Sequence, residues 1–484
     1  MKKIYLAIMA VAALMATSCS DFLDVHPKGE KVEDDLFDSS KGFEDAIYGV
    51  YGAMASNSVY GMEMVWGIPE LLCQNFECKS TSGKDFSTYD YTTNSTTRDR
   101  LKSVWTRAYE AIGYANNVLQ NLEKKSPDAL PLYNMYKGEM LAARAMLHFD
   151  LLRLFAPTDP SKRGIPYVKT YNFSVKPFST VGECEQFIID DLTEAEVLMK
   201  DGETMVYPRN NEEYDRFNCW RENHLNLYAV QALLARVYWY VGNNAKAAEY
   251  AEAVINSNRF PLVDVTEVQN YLAGVLSPKE TIFGLYSTQY MEFAKSYLYD
   301  FESYKTYEPY DDISGSSHLL PWTALYQLDV DATMQDYRKT HFRQSTYGKC
   351  LKMVDYLTIE NTKGENPRAD LLSGISLIHS SEMYLIAADA LLESNYAKAL
   401  EYFNTEINSR GLPSLRSNET LTANRIFNEY HKEMFCEGQH WFNMKRLNAD
   451  IQSNAETRVI PGNDDIYVLP IPQEEFDYRT DETK

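Results

Sequence analysis

Three side chains near the carboxyl terminus are of the types that bind transition metals. His431, Cys436 and His440 fall five and four residues apart, and imidazole and thiolate are ligands that Zn²⁺ prefers. No fourth ligand stands at a suitable spacing, and none of the eight histidines belongs to an HExxH sequence, which would place two ligands on one helix face. The sequence therefore predicts neither a metal nor a cofactor.

Other catalytic and ion-binding patterns are also incomplete. Asp329, Asp331 and Thr333 match the start of a calcium loop, but glycine is missing from its sixth position and glutamate from its twelfth. The GxSxG sequence of serine hydrolases and the Walker sequence of nucleotide-binding proteins are both absent. We therefore expect a binding protein rather than an enzyme.

The strongest chemical signal is aromatic, with 36 tyrosines and 6 tryptophans. An amphipathic ring in an exposed loop suits flat or sugar-like ligands. A sugar laid on such a ring buries about 60 Å² of apolar surface, worth roughly 1.5 kcal/mol. For any one ring, packing in the core is the competing interpretation. The candidate ligand contacts are the rings of the loop-rich regions, Tyr60, Trp66, Tyr290, Tyr304, Tyr307, Tyr310 and Trp322, whereas Trp105, Trp239 and Trp441 lie on helical faces and are expected to pack.

The amino terminus has the plan of an export signal. Lys2 and Lys3 precede an apolar run, residues 4–15, that is too short to span a bilayer, and small residues then lead to Cys19. This arrangement resembles a bacterial lipobox, which implies cleavage before Cys19 and acylation of its thiol. The alternative is an ordinary signal with a chance cysteine. We expect the mature protein to be held at a membrane by its lipid alone.

Composition narrows the remaining choices. A net charge of −22 argues against binding to nucleic acid or to an anionic membrane surface. Hydrophobic residues make up 45% and charged residues 24%, as in an ordinary globular protein. The cysteines after Cys19 are too few for a disulfide scaffold, so most are expected to be buried thiols, although Cys73 and Cys78 could pair.

The elements that must position the candidate rings are mainly helices. Apolar stripes of helical period predict helical repeats at about 98–156, 181–256 and 372–450. Small residues recur in two of these segments at the spacing of tetratricopeptide hairpins. The predicted fold is mostly α, with an α-solenoid core; unrelated hairpins that use alanine are the alternative. The recurring small residues are Ala235, Ala247, Ala251, Ala387, Ala390 and Ala399.

Two loop-rich regions, at about 57–97 and 260–371, interrupt the helices and hold the candidate rings. Within the second region, Pro278 and the apolar residues from Thr281 predict a turn and a short strand. The expected organisation is a signal peptide over 1–18, a lipid-anchored tether over 19–39 and one domain over 40–484.

Several blocks resemble the SusD/RagB family of outer-membrane lipoproteins, from the lipobox nearly to the carboxyl terminus. Their order and spacing carry the resemblance, and the matching blocks are structural. Departures are His379, where arginine is common, and Asn443, where aspartate is common. Within the last block, Glu437 and Arg446 are expected to form an ion pair. The blocks include Ser20 to Asp24, Trp105 with Tyr109 and Asn116, Gly164 to Pro166, Arg410 to Leu412, Glu437 to Arg446, and Leu469 to Pro472.

The resemblance implies a role in nutrient uptake at the bacterial surface. Members sit in the cell outer membrane over a SusC-like, TonB-dependent β-barrel transporter, and they capture a nutrient and pass it to the barrel. The repeats would face the barrel, and the ligand would bind the opposite, loop-built face. An oligosaccharide or glycan is the expected nutrient, and a peptide, as RagB-like members imply, is the alternative. A helical scaffold that binds only protein is the alternative from another class.

Overall fold

The computed structural model describes most of the chain after the predicted export signal. Cys19 and Tyr304 lie outside the described residues, and so does most of the predicted tether. Of the tether, Phe37 is buried and contacts Phe43, with ring centroids 4.9 Å apart. The described residues are 33–200, 217–263, 275–276, 279–300, 306–310, 318–330, 334, 336–342, 348–354, 372–477 and 479–480.

Helices dominate the chain before the second loop-rich region. Asn94 and Asn226 cap two of them by accepting backbone N–H groups, and Thr180 with Glu183 forms a capping box at a third. A π-helical turn spans Glu63–Gly67, and 3₁₀ turns span Pro127–Ala129 and Arg221–Asn223. The α-helices are α1 Glu33–Leu36, α2 Ser40–Met54, α3 Ile68–Leu72, α4 Thr81–Ser87, α5 Ser95–Glu123, α6 Tyr133–Phe155, α7 Val181–Met199, α8 Leu227–Tyr240 and α9 Asn244–Asn256.

The second half of the chain contains mostly shorter helices. The left-handed backbone of Gly438, with φ of +74°, precedes the last long helix. A Cβ at this position would lie 2.5 Å from the carbonyl oxygen of Val65, so only glycine fits. The helices are α10 Tyr290–Leu298, α11 Trp322–Leu325, α12 Arg338–His341, α13 Ser380–Leu391, α14 Tyr396–Ser409, α15 Ala423–Glu433, α16 Gln439–Arg446, α17 Asp464–Tyr467 and α18 Glu474–Asp477.

Short antiparallel strands join distant segments. The first sheet pairs β1 Phe76–Cys78 with β4 Tyr307–Pro309, and so links the two loop-rich regions. The second has the order β2–β5–β3, and its β3 confirms the strand predicted from Thr281. A hairpin of β6 and β7 follows α16. The remaining bounds are β2 Val275–Leu276, β3 Thr281–Tyr286, β5 Leu372–His379, β6 Ile451–Ser453 and β7 Arg458–Ile460.

The long helices confirm the predicted tetratricopeptide-like core. Helices α5 to α9 pack each on the next, and α9 then packs on α13, which packs on α14. The close approach of α9 to its neighbours is made by buried alanines, such as Ala247 and Ala251. The second loop-rich region therefore interrupts the sequence of the helical layer without interrupting its packing.

The third predicted repeat begins later than expected. Residues 372–379 form strand β5, and helix α13 starts only at Ser380. Ile375, Leu377 and Ile378 are buried, and β3 pairs along this strand. The cross-strand pairing, which depends on a segment about 90 residues earlier, overrides the local helical pattern.

Candidate functional site

Tyr60, the first predicted ligand contact, is buried against the helical layer. Its hydroxyl donates a hydrogen bond of 2.6 Å to Oδ2 of Asp150 on α6, and both groups are buried. Burial, followed by the negative charge of Asp150, raises the pKa of the tyrosine well above its usual value. Tyr60 therefore ties the first loop-rich region to the helical layer.

Three more predicted rings meet in one buried group, which we call the aromatic cluster: Trp66, Phe76, Tyr307, Trp322 and Phe435. Trp66 meets Tyr307 edge-on, with ring centroids 5.6 Å apart. Tyr307 contacts Phe76 at 6.0 Å, and Phe76 contacts Phe435 at 5.1 Å. Phe435 contacts Trp322 at 4.6 Å. The cluster thus joins both loop-rich regions to the segment that links α15 to α16.

The six described candidate rings are all covered by protein. Their exposed fractions lie between 0% and 7%, and they include Tyr290 and Tyr310. Stacking on a sugar requires an open ring face, so the expectation of exposed platforms is not met at these positions. Ligand contact by these residues stays a prediction that requires the surface above them to open. Trp105, Trp239 and Trp441 are buried, which confirms their predicted packing role.

A shallow cleft on the protein surface lies beside the aromatic cluster. We call it the amide cleft, because four amide side chains from distant segments line it. Phe427 is half-buried at its edge, and Asp450 and Gln452 are exposed. The enclosed volume is only about 40 Å³, so a ligand would lie across the cleft rather than inside it. The lining residues that concern us are Gln74, Asn75, Leu320, Phe427, His431, His440, Asp450, Gln452 and Asn454.

Asn454 holds three segments together at the amide cleft. Its Nδ2 donates to the carbonyl oxygens of Gln74, at 3.0 Å, and Leu320, at 2.9 Å. Its Oδ1 accepts from the backbone N–H of Leu320 at 2.8 Å. The side chain of Gln74 in turn accepts from Ser453 and Ala455 through Oε1. The cleft is therefore a fixed junction of both loop-rich regions with the β6–β7 hairpin.

Glu70 and Asn75 orient a histidine on the cleft floor. Oε2 of Glu70 accepts from Nδ2 of Asn75 at 2.7 Å, so Oδ1 of Asn75 is left to accept from Nε2 of His431, also at 2.7 Å. Glu70 also accepts from the backbone N–H groups of Cys436 and Gly438. Burial outweighs these hydrogen bonds and raises the pKa of Glu70 to about 7.

His431 and His440 form a parallel stack with ring centroids 3.8 Å apart. Burial, together with the charge of Lys432, lowers the pKa of His431 to about 3. Burial, together with the neighbouring His431, also lowers the pKa of His440 well below its usual value. Both rings are neutral at physiological pH, and Nδ1 of His440 has no hydrogen-bond partner among the described residues.

Buried ion pairs attach the second loop-rich region to the helical layer. The guanidinium of Arg410, at the end of α14, bonds both carboxylate oxygens of Glu280 at 2.9 Å and Glu433 at 2.6 Å. Arg338 bonds Asp336 at 2.7 Å and Glu433 at 2.9 Å. Because Glu433 lies on α15, these pairs fix the helix that carries Phe427 and His431.

The predicted ion pair between Glu437 and Arg446 is not formed. Glu437 instead bonds Lys352 at 2.6 Å and His379 at 2.7 Å. Arg446 bonds Asp389 on α13 at 2.7 Å. The turn at Gly438 places the two predicted partners at opposite ends of α16, since Glu437 precedes the helix and Arg446 ends it.

The described residues give little support to a metal site at the carboxyl-terminal block. His431 and His440 stack on one another, whereas Sγ of Cys436 lies 3.8 Å from Sγ of Cys350. A second group of possible metal ligands occurs elsewhere among the described residues. It consists of Glu280, His379 and Glu433, whose ligand atoms lie within 4.8 Å of one another. The guanidinium of Arg410 already bonds both of those carboxylates, and its charge takes the place that a cation would have.

A larger cavity of about 310 Å³ lies beside α14 and α15. Its floor is apolar, with Phe403 and Ile407, and the charged groups of its rim pair with one another. Arg425 lies 3.2 Å from Glu419 and 3.8 Å from Asp329. Phe403, the aromatic residue among its lining, is buried, so the amide cleft is the better candidate for a polar ligand with an apolar face.

The two loop-rich regions predicted to hold the ligand site supply only part of the amide cleft, through Gln74, Asn75 and Leu320. The rest of its lining comes from residues 427–454, which the sequence did not assign to a ligand face. Phe427, Gln452 and Asn454 belong to no motif, and single amides are common on protein surfaces. His431 and His440 carried a detectable signal, since both were considered as metal ligands. Their stack comes from the turn between α15 and α16, which brings positions nine residues apart face to face.

Comparison with known proteins defines the class of this chain. Residues 21–239 match a family model described as "Starch-binding associating with outer membrane". Residues 330–481 match a second model, described as "SusD family". No protein with a curated description matches the sequence. The helical-repeat fold is therefore that of a class of outer-membrane-associated binding proteins.

The chain belongs to the SusD family, as its motifs indicated. A SusD superfamily protein from Bacteroides thetaiotaomicron is 23% identical, with a TM-score of 0.73 over 91% of this chain and 98% of that one. One from Bacteroides fragilis is 22% identical, with a TM-score of 0.71 over 91% and 98%. A SusD-like carbohydrate binding protein from Bacteroides vulgatus is 17% identical, with a TM-score of 0.69 over 90% and 96%. The TM-scores show that these proteins and this chain share a fold, which confirms the predicted fold class.

Proposed function

We propose that this protein captures a glycan at the outer surface of the bacterial outer membrane and delivers it to a SusC-like, TonB-dependent transporter. The observation that carries the proposal is the amide cleft, where amide side chains and a half-buried ring meet at the junction of both loop-rich regions. The description of one matching family model as starch-binding supports the choice of ligand class.

The chemistry of the amide cleft suits hydroxyl groups. The exposed amide of Gln452 offers both a donor and an acceptor, and the exposed carboxylate of Asp450 accepts two hydrogen bonds, which matches the alternating needs of a sugar's hydroxyls. The buried amides of Gln74, Asn75 and Asn454 bond protein groups and hold the cleft in shape. Phe427 supplies an apolar surface, worth roughly 1.5 kcal/mol if about 60 Å² of a sugar is buried there. A few such contacts give micromolar to millimolar affinity, which permits release to a transporter.

The membrane attachment rests on the lipobox at Cys19. Within the described ranges, no helix combines the length and the apolar character needed to cross a bilayer. A thioether-linked diacylglycerol with a further acyl chain holds a protein stably at a membrane. We infer that the anchor keeps the protein beside its transporter, and the family's association with the outer membrane supports this placement.

Affinity electrophoresis tests the proposal. The mature protein is run through gels that contain soluble starch, yeast mannan, pectic galactan or xylan. We expect one glycan to retard it and the Phe427→Ala/Gln452→Ala double variant to lose at least about tenfold in affinity, because a stacking surface and a hydrogen-bonding group are removed. Gln327→Ala, which truncates an exposed glutamine outside the cleft, is the matched control.

Three outcomes separate the alternatives. Retardation that the double variant loses supports glycan capture at the amide cleft. Retardation that the double variant keeps moves the site elsewhere on the protein. If no glycan retards the protein but a peptide mixture binds it by calorimetry, the peptide function replaces the glycan function. Binding only to the purified transporter would favour a scaffold without a small ligand.

A further inference from the structure

A second groove on the protein surface shares no lining residue with the amide cleft. It runs between α5, the loop that follows α6 and the carboxyl-terminal helix α18, and its volume is about 360 Å³. We call it the α5 groove. The residues that matter here are Tyr109, Tyr171, Asn172, Ser174, Glu474 and Arg479.

Exposed aromatic side chains surround the α5 groove. Tyr171 is 44% exposed in its wall, and Phe173 next to it is fully exposed, at 107%. Tyr114, one turn beyond Gly113 of the floor, is 43% exposed. Single exposed apolar residues are common on proteins, but neighbouring ones that form a patch mark interaction sites, and here three rings are exposed around one groove. They have the open faces that the rings of the aromatic cluster lack.

The loop that carries Tyr171 and Phe173 is held in place by hydrogen bonds on both sides of these rings. Oδ1 of Asn172 accepts from the backbone N–H of Ser174 at 3.0 Å, and its Nδ2 donates to Oγ1 of Thr170 at 3.1 Å. Arg479 donates to the carbonyl oxygen of Lys176 at 2.6 Å. A ring on a fixed loop loses little further entropy when a ligand stacks on it.

The charged side chains that line the α5 groove are balanced, with Glu474 and Glu475 against Lys176 and Arg479. Glu475 accepts from Nε1 of Trp105 at 2.8 Å and also pairs with Arg479. Glu474 pairs with Lys102 at 2.6 Å. These carboxylates disfavour an anionic ligand or an anionic lipid surface, and the lining has no excess of positive charge to attract an anion. The lining therefore suits a neutral ligand with apolar faces and hydroxyl edges.

We infer that the α5 groove is a second carbohydrate-binding site, which takes a neutral oligosaccharide stacked on Tyr171 and Phe173. The inference rests on the proposed function, because it assumes that the protein handles glycans. The groove's volume accommodates about two sugar residues, and the amide and hydroxyls of the loop lie at its wall. Two separate sites on one chain strengthen the hold on a long polysaccharide more than on a short oligosaccharide.

The test compares matched variants in the same gels of soluble starch, mannan, galactan and xylan. The Tyr171→Ala/Phe173→Ala variant is expected to bind the retarding glycan about tenfold more weakly, because two stacking faces are lost. Tyr171→Phe keeps the ring and should bind the glycan almost as tightly as the unaltered protein, whereas Tyr171→Ala should bind it more weakly. Tyr286→Ala, which removes a tyrosine 54% exposed elsewhere, should bind like the unaltered protein. The substituted side chains are exposed, so thermal unfolding should not change.

Combining the variants distinguishes the two sites. In the Phe427→Ala/Gln452→Ala background, residual binding that disappears on adding Tyr171→Ala/Phe173→Ala supports the inference. If the unaltered protein is retarded and the α5-groove variant is retarded equally, the inference fails while glycan capture stands. If no glycan retards the unaltered protein, the proposed function and the second site both fail, and the exposed rings then belong to a protein contact.

Discussion

At the scale of single residues, the amide cleft depends on ionisable side chains held in unusual protonation states. His431 and His440 are neutral because burial disfavours their charged forms. Asn75 accepts from Nε2 of His431, which fixes the tautomer and leaves Nδ1 without a proton. A change in pH therefore acts on the floor of the cleft as well as on the stability of the fold.

The first prediction concerns His431 and acid. Its folded pKa of about 3 lies below the unfolded value near 6.5, so the unfolded chain binds more protons between these two pH values. The contribution of the neutral ring to stability is complete above pH 6.5 and decreases as the pH falls, by at most about 1.4 kcal/mol per pH unit. His431→Asn removes this dependence.

The measurement is urea unfolding of both proteins at pH 7.5, 6.0 and 5.0. We expect the difference in unfolding free energy, unaltered protein minus variant, to shrink as the pH falls below 6.5. His440→Asn should behave in the same way. A difference that stays constant down to pH 5.0 would show that His431 is protonated in the folded protein.

At the scale of elements, buried charges join α14, α15 and the second loop-rich region. Burial raises the pKa of Glu406 well above its usual value, and the neighbouring Glu429 adds to this effect. Burial by itself would also raise the pKa of Glu433. The positive charges of Arg410 and Arg338 outweigh this effect and lower the pKa of Glu433 below its usual value. The pKa values of the two glutamates are therefore shifted in opposite directions, Glu406 toward the protonated form and Glu433 toward the ionised form.

The second prediction follows from that difference. Glu406→Gln puts a neutral amide of the same shape in place of a carboxyl group whose pKa is raised, and should change the free energy of unfolding by less than about 1 kcal/mol. Glu433→Gln leaves Arg410 and Arg338 without a shared buried anion and should cost roughly 3–5 kcal/mol. Chemical denaturation of both variants at pH 7 measures the contrast, and equal losses would contradict these assignments.

The third prediction concerns the turn that begins α16. Gly438→Ala adds a methyl group 2.5 Å from the carbonyl oxygen of Val65, at a φ that alanine adopts with strain. The backbone there must move, which should weaken the hydrogen bond from Gly438 N–H to Glu70. We expect a loss of roughly 2 kcal/mol or more in unfolding free energy. Gly113→Ala is the control, because a Cβ at Gly113 meets nothing within 4 Å.

At the scale of the whole molecule, one continuous helical layer carries two surfaces of different chemistry. The packing of α9 on α13 lets the second loop-rich region leave and rejoin the layer, so its residues can reach the first loop-rich region through the β1–β4 pair. The net charge of −22 keeps the protein from adhering to anionic membrane surfaces. We therefore propose that its attachment to the outer membrane depends on the lipid at Cys19.

The fourth prediction tests that anchor. Cys19→Ala removes the thiol that would carry the lipid, so the protein should move from the outer-membrane fraction to the soluble fraction, and labelling with radioactive palmitate should be lost. Cys219→Ala, which alters a half-buried thiol of the folded body, should remain in the membrane fraction. Membrane recovery of the Cys19→Ala protein would mean that another contact holds it there.

The helical layer was predictable because its signals are local. The apolar stripe of α5, the capping box at Thr180 and the alanine spacing of α9 each involve residues within a few turns of one another. The order of the family blocks along the chain was equally readable. The late start of α13 could not be predicted in this way, because the strand that replaces its expected first turns forms only by pairing with β3.

The sequence by itself determined the fold class, the family and the two loop-rich regions that interrupt the helices. Only the tertiary structure decided which rings are covered, because Trp66 and Tyr307 become buried through contact with one another, although they are far apart in sequence. It also assembled the amide cleft from Asn75, Phe427 and Gln452, and left Phe173 open to solvent. Burial depends on contacts between distant segments, which no local pattern of residues records.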